Sequence, residues 1–307
     1  MQLLEALERG KEEGAVDWPW DDQIAWVKTA YSKVLKDRGP FPGLGSVLEA
    51  LGFHGASVYV ERWITNKGIA DARKHALERI ENPAKAEDAA AKAGFEAAKK
   101  TLKILPDTTQ QLLLDRLSLF ELSCEQVKLI AGSGLVSEKN RAAVGLRAKP
   151  SEILDNPFRI VEEFDPVDRE DRILFYRVDN GIFLGKQRAQ VAVPGLDAFL
   201  PEDPRRLRAI TFQLLRDASM DGHSFLLQDT ILDRLTKLKL PGVSGYLGAV
   251  TLAKDLEFYE QILTLRKETD LVAWQLKTTA EDEDLIRERV KKLRQRKQQK
   301  TQVKGKR

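Results

Sequence analysis

The chain has little of what metal centres and nucleophilic active sites are built from. Its 307 residues contain one cysteine, Cys124, which rules out an internal disulfide framework, and three histidines, His54, His75 and His223. These four lie far apart in sequence and in none of the usual metal-ligand spacings, so no metal is expected. No serine sits in a glycine-flanked nucleophile pattern. Gly181 to Gln187 (GIFLGKQ) suggests a phosphate loop, but three residues separate its glycines where four are needed, and Gln187 stands where Mg²⁺ requires Ser or Thr. A strand explains the same residues better, and neither a cofactor nor a catalytic centre is expected. Long apolar runs are missing too. There is no signal-like start and no stretch of about 18 apolar residues, so the expectation is a cytoplasmic chain without membrane contact. No period of about 20 to 50 residues recurs, which excludes a solenoid.

What is present is charge, unevenly placed. The net charge of +3 conceals a tail, Arg287 to Arg307, with 11 Lys or Arg and one acid, Glu288. The rest of the chain carries 39 basic and 46 acidic residues, a net of −7. A mildly acidic body with a basic end is not a uniformly cationic nucleic-acid binder, so contact with DNA has to come from local patches. The tail itself reads as an exposed helix end or disordered extension with weak, nonspecific attraction to DNA. Glu162 and Glu163, and the run Glu281 to Asp284, read as solvated faces or helix starts rather than acid–base pairs.

The fold expected is mainly α, with a multi-helical N-terminal half, a β-hairpin segment and a winged-helix-like domain. Helical spacing runs over Asp21 to Lys36, Ser57 to Ile80, Ala84 to Leu105, Thr108 to Phe120 and Ser123 to Ala131. Ser123 and Gln126 form a capping-box pattern, while Asn82-Pro83, Pro106-Asp107 and Gly132-Ser133-Gly134 punctuate the helices. The Ala/Lys-rich stretch Ala84 to Lys100 suits an exposed helix. After Asn156-Pro157 the character changes. The run DRILFYRVDNGIFLG is aromatic and β-branched, and Asn180-Gly181 predicts a hairpin turn with a return strand through Ile182, Phe183 and Leu184. These shifts divide the chain into a helical domain over 1–82, a second over 83–164, the hairpin over 165–200, the winged-helix-like domain over 201–257, and a helix with basic tail over 258–307.

The segment Asp203 to Leu240 carries the strongest pattern. A first helix places Leu207, Ile210, Leu214 and Ala218 on one face, and a second places Ile231, Leu232, Leu235 and Leu238 likewise. Gly222 ends the first, His223 stands in the turn, and Asp229 is placed to cap the second. GYLGAVTLA follows and can supply wing strands, after which Asp255 to Lys277 returns to helix. On this reading Arg205, Arg206 and Arg208, with Arg234, Lys237 and Lys239 on the second helix, are candidate phosphate contacts. FPGLGSVLEALGF, Phe41 to Phe53, resembles the hairpin of a helix-hairpin-helix element. There Gly43 and Gly45 allow close backbone approach, and Ser46 begins a helix whose amides can face a phosphate. A tight interhelical joint and ordinary surface charge explain the same residues without DNA.

The stretch RRLRAITFQLLRDASMDGHSFLLQDTIL is similar to the segment that precedes the motor in RecD-like DNA helicases, where an arginine-led helix is followed by Gly-His, an aromatic and a leucine. NPFRIVEEF resembles the Asn-Pro-Tyr segment of those proteins, with Phe158 for tyrosine, and EFYEQILTLRKETDLVAWQLK resembles the helix leading to their ATPase core. The resemblance covers Asn156 to Leu276; Met1 to Ala148 matches loosely, through helical content and the PGLG turn. It implies an accessory region of an enzyme that moves 5′ to 3′ on DNA at the expense of ATP. The motor's phosphate loop is not among these residues, so none of that activity carries over to them. The function expected is therefore a non-catalytic DNA-engaging module that guides DNA to a motor, in cis or on a partner. The alternative is a protein-interaction scaffold that docks a partner subunit through the winged helix and hairpin.

Overall fold

A computed structural model describes residues 2–14, 18–132, 134–184, 193–238, 240, 255–268 and 271–304. Among the described residues the chain is mainly helical, with one small antiparallel sheet. It forms two compact units, the first from residues 1–143, 149–155 and 180–194, the second from 144–148, 156–179 and 195–307. This division is coarser than the five segments read from the sequence, and each unit draws on separated stretches of chain.

The first unit contains α1 (Gln2–Glu13), α2 (Trp20–Arg38), α3 (Leu44–Ala50), α4 (Ala56–Thr65), α5 (Ala72–Glu81), α6 (Ala89–Ile104), α7 (Asp107–Gln111), α8 (Cys124–Ala131), α9 (Glu138–Ala143) and α10 (Pro150–Asp155). The single helix expected over Ser57 to Ile80 is two, because Gly68 takes the left-handed conformation (φ +62°) and the Asp71 side chain starts α5 anew by accepting from the Lys74 amide at 2.9 Å. The capping box at Ser123 forms as its spacing requires: the Gln126 amide donates to Ser123 Oγ and the Ser123 amide to Gln126 Oε1.

The Ala/Lys-rich stretch is not simply an exposed helix. α6 buries Ala91, Gly94, Phe95, Ala98 and Leu102. Small residues let its backbone approach Phe53, whose ring lies 2.2 Å from where a Cβ on Gly94 would be, and Phe53 meets Phe95 edge-on at 4.9 Å.

The hairpin expected around Asn180-Gly181 is replaced by helix. Phe175–Asp179 forms α12 and Asn180–Leu184 a π-helical turn; residues 185–192, the rest of the expected return strand, lie outside the described residues. Phe175, Val178 and Ile182, all buried, already stand at spacings of three and four, a helical period masked by their aromatic and β-branched character. Gly181 does not adopt the positive φ of a hairpin turn. A Cβ there would meet Phe120 Cδ1 at 2.5 Å and the Leu119 carbonyl at 2.7 Å, so close packing, not turn geometry, calls for glycine.

The second unit contains α11 (Arg159–Glu163), α12, α13 (Pro204–Met220), β1 (Leu226–Leu227), α14 (Gln228–Lys237), α15 (Leu256–Tyr259), β2 (Leu263–Glu268), β3 (Leu271–Leu276) and α16 (Lys277–Lys304). Asp203 caps α13 through the Arg205 amide at 2.9 Å, Pro204 occupies its first turn, and Gly222 (φ +90°) closes it while the His223 amide bonds the Ala218 carbonyl at 2.9 Å. The His223 side chain is exposed, so the turn is held by backbone. α13 is not amphipathic in the expected sense. Leu207, Ile210 and Ala218 are buried and Leu214 only partly, but Arg206, Arg208, Thr211, Gln213, Leu215 and Arg216 on its other faces are buried as well. α14 buries Ile231, Leu232 and Leu235 as its period predicts, with Leu238 half-buried. Asp229 does not cap it: the cap position is Leu227, and Asp229 adds its charge within the first turn.

The helix expected over Asp255 to Lys277 is largely a hairpin. β2 and β3 pair with Leu263 opposite Leu276, Leu265 opposite Trp274 and Lys267 opposite Val272, and β1 joins the other edge of β3 to give the order β1-β3-β2. Period two decides it, because Val272, Trp274 and Leu276 share a face with Leu263 and Leu265. Trp274 is fully buried, meets Tyr259 edge-on at 5.7 Å and donates from Nε1 to Gln228 Oε1 at 3.2 Å. GYLGAVTLA, expected to supply the wing strands, lies outside the described residues.

Candidate nucleic-acid interface

α13 brings Arg205, Arg206 and Arg208 into one region but spends all of them internally. Arg206 is fully buried and forks onto Asp179 at 2.6 and 2.8 Å, with a further bond to the Pro201 carbonyl at 2.8 Å. Arg208, also buried, forks onto Glu162 at 2.8 and 2.6 Å, donates to the Phe258 carbonyl and Gln261, and stacks 3.7 Å over the Phe258 ring. Arg205 is partly exposed, yet it is held by Asp203 at 2.9 and 2.6 Å above the Phe199 ring. These are the bidentate, planar arrangements guanidinium favours. The expectation that Arg206 and Arg208 meet phosphates is corrected accordingly, since neither reaches solvent.

The same geometry corrects the reading of Glu162 and Glu163 as solvated. Glu162 is buried beneath Arg208, and Glu163 accepts from the Arg147 and Ala148 amides at 2.9 and 2.7 Å and from Arg159 Nε at 2.7 Å. Burial pushes the Glu162 and Asp179 carboxyls above their ordinary range, against the pull of Arg208 and Arg206. No local pattern announces these pairs, whose members stand 46 and 27 residues apart.

The Pro-Gly-x-Gly segment is likewise turned inward. The Gly43 amide donates to the Ser118 carbonyl at 2.9 Å, and a Cβ at Gly43 would meet the Phe120 and Leu117 carbonyls at 2.1 and 2.3 Å. Gly45 is buried against Ser57, whose hydroxyl donates to the Glu49 carboxylate at 2.9 Å. A phosphate there would meet an occupied amide and a nearby negative charge. Ser46 is half-buried on α3. The tight-joint explanation accounts for all three residues.

Exposed cations remain elsewhere. Arg234 is half-buried on α14 with no ion pair among the described residues, and Lys237, largely exposed, pairs with Asp233 at 2.7 Å; Lys239 lies outside the described residues. On the hairpin, Arg266 pairs with Glu283 at 3.4 Å and Lys267 is exposed. α16 carries the basic tail in helical form to Lys304. The hairpin cations escape a reading by periodicity, which gives their segment to a helix.

His75 and Cys124 serve structure. His75 stands edge-on to Trp63 at 4.8 Å beside Glu87, whose Oε1 also receives Trp63 Nε1 at 3.0 Å and pairs with Lys67 and Arg79 at 3.3 Å each. Cys124 is half-buried in the first turn of α8, its thiol pushed up by burial. Among the described residues, no cluster of three or more His, Cys, Asp or Glu could hold a metal ion, and no helix is long and apolar enough to cross a membrane. No protein-family model, curated protein or solved structure matches the chain.

Proposed function

We propose that this chain is a non-catalytic, DNA-engaging accessory module of a RecD-like helicase, and that α13, β1, α14 and the β2–β3 hairpin make up a winged helix. The observation that carries this reading is the order of elements. A helix, a short strand and a second helix precede a hairpin, and the first strand adds to the hairpin's second strand in the order β1-β3-β2. In this arrangement β2 and β3 form the wing, where the resemblance to the helicases implied a helix. α14 carries Arg234 and Lys237 as the testable phosphate contacts, and the hairpin adds Lys267.

Fluorescence anisotropy with labelled DNA tests the reading. Arg234→Glu combined with Lys237→Glu weakens binding by about tenfold or more at low salt and about equally across sequences, because phosphate contacts carry no base information. Unchanged affinity in that variant sinks the α14 contact. A DNA-stimulated ATPase that copurifies with the chain at constant specific activity sinks the accessory role.

One observation favours the scaffold reading. By strand register Leu227 and Leu271 share the sheet face opposite Trp274, and both are exposed, as is Phe225 beside them. Exposed apolar patches of this kind mark docking surfaces. Tight capture of a partner subunit with no DNA binding at low salt decides for it.

A further inference from the structure

We propose that the distal part of α16 over residues 287–295 is a second DNA contact that lies in the major groove of a duplex with phosphates on both sides. Its first turns are anchored: Ala280 is buried and Glu283 pairs with Arg266 at 3.4 Å. From Asp284 to Gln295 every residue is exposed. A helix this exposed still has a clear angular order at 3.6 residues per turn.

Ile286, Val290 and Leu293, exposed at 61%, 42% and 62%, line up in one narrow stripe. Arg287, Lys291 and Arg294 run along one side of it, Arg289 and Lys292 along the other, and Glu288 and Gln295 take the opposite face. Arg287 and Lys292 make exposed pairs with Asp284 and Glu288, while Arg289, Lys291 and Arg294 have no ion pair among the described residues.

Two lines of cations beside a narrow apolar stripe are the charge complement of a duplex groove, whose walls are phosphates and whose floor offers base edges and thymine methyls. A helix about 10–12 Å across with its side chains fills a major groove about 12 Å wide. An anionic bilayer calls for the opposite proportions, a broad apolar face with cations on the far side. A second copy of α16 would press Arg287, Arg289 and Arg294 against like charges. The inference does not rest on the winged-helix reading, because α14 and α16 present different cations and can be mutated separately.

The test uses the full chain and a labelled mixed-sequence duplex of about 20 base pairs, with binding followed across salt concentrations. Replacing Arg287, Arg289, Lys291, Lys292 and Arg294 by Gln, a good helix former, lowers affinity at least tenfold. It also reduces the slope of log K against log salt by about 4.5, at about 0.9 for each of the five phosphates that are no longer neutralised. Each side replaced alone, Arg287/Lys291/Arg294→Gln or Arg289/Lys292→Gln, gives part of the loss, and circular dichroism shows helix content retained. A single strand of equal length competes at least tenfold more weakly than the duplex. An unchanged salt slope in the five-residue variant overturns the proposal. So does equal competition by single strand, or loss of binding to phosphatidylserine vesicles, but not to duplex, in that variant. If Arg234→Glu with Lys237→Glu removes binding while the α16 variant keeps it, the winged-helix contact stands and this one falls.

Discussion

Asp179 and Arg206 form a forked ion pair sealed from water: Nε and Nη2 of the arginine lie 2.6 and 2.8 Å from the two carboxylate oxygens, and the side chains are 3% and 0% exposed. The pair ties α12 to α13, while Glu162 and Arg208 tie α11 to the same helix. α13 is thus the axis of its unit, held by charge as well as by apolar contact. An isolated buried charge is far costlier than a satisfied pair.

Breaking the fork from one side leaves the guanidinium uncompensated. Asp179→Asn is expected to cost about 3–5 kcal/mol of stability, measured by urea unfolding, whereas Asp179→Leu combined with Arg206→Met costs less than the single change. A double variant worse than the single one would show that the pair contributes more than satisfaction of its own charges.

Gly43→Ala places a methyl against two backbone carbonyls that cannot rotate away. Overpacking of this kind costs about 1–3 kcal/mol or more, and the loss appears in unfolding curves recorded without DNA. A Gly43→Ala protein of normal stability would mean that the 117–120 segment shifts readily, reopening Gly43 as a surface position.

Acidification weakens the first unit through His75. Burial first, then Arg79, holds the imidazole below its ordinary pKa despite Glu87. The unfolded chain therefore takes up the proton at higher pH than the native one, near about 6.5. Stability present above that value is lost as pH falls through it toward the lowered native pKa. Burial pushes Glu87 up, but its own backbone amide, Arg79 and Lys67 outweigh it and hold the carboxyl below its usual range, so its contribution is lost only at more acid pH. Denaturant midpoints recorded between about pH 7 and pH 5 should fall for the native sequence and flatten in His75→Gln; parallel slopes would remove His75 from the account.

Leu207 and Leu214 separate the two views of α13. Leu207→Ala, at a position 1% exposed, should cost about 2–5 kcal/mol, while Leu214→Ala, at a half-buried one, should cost less. Equal losses would restore the single-stripe picture drawn from periodicity.

The elements most legible in the sequence are those whose cause is local. The Ser123 capping box, the end of α13 at Gly222 and the buried stripe of α14 depend on residues within a turn or two of one another, and they form where the spacing puts them. The hairpin of β2 and β3 is legible in principle, since Val272, Trp274 and Leu276 alternate, but Leu256, Tyr259 and Leu263, at spacings of three and four, carry a helical period into it.

The candidate site is far less legible. The string of residues is enough to establish a mainly helical chain, an acidic body with a basic end, and two helices between Asp203 and Lys237. It cannot tell an arginine that meets solvent from one that is sealed, because Arg205, Arg206 and Arg208 look alike along the chain. Folding in three dimensions brings Asp179 and Glu162 from 27 and 46 residues away to claim two of them. It likewise packs Phe120 on Gly181 and the Leu117 and Phe120 carbonyls on Gly43, which makes both glycines a matter of packing. The physical reason is one of range: capping and periodicity are set by neighbours along the chain, whereas desolvation and close contact are set by whatever the fold brings alongside.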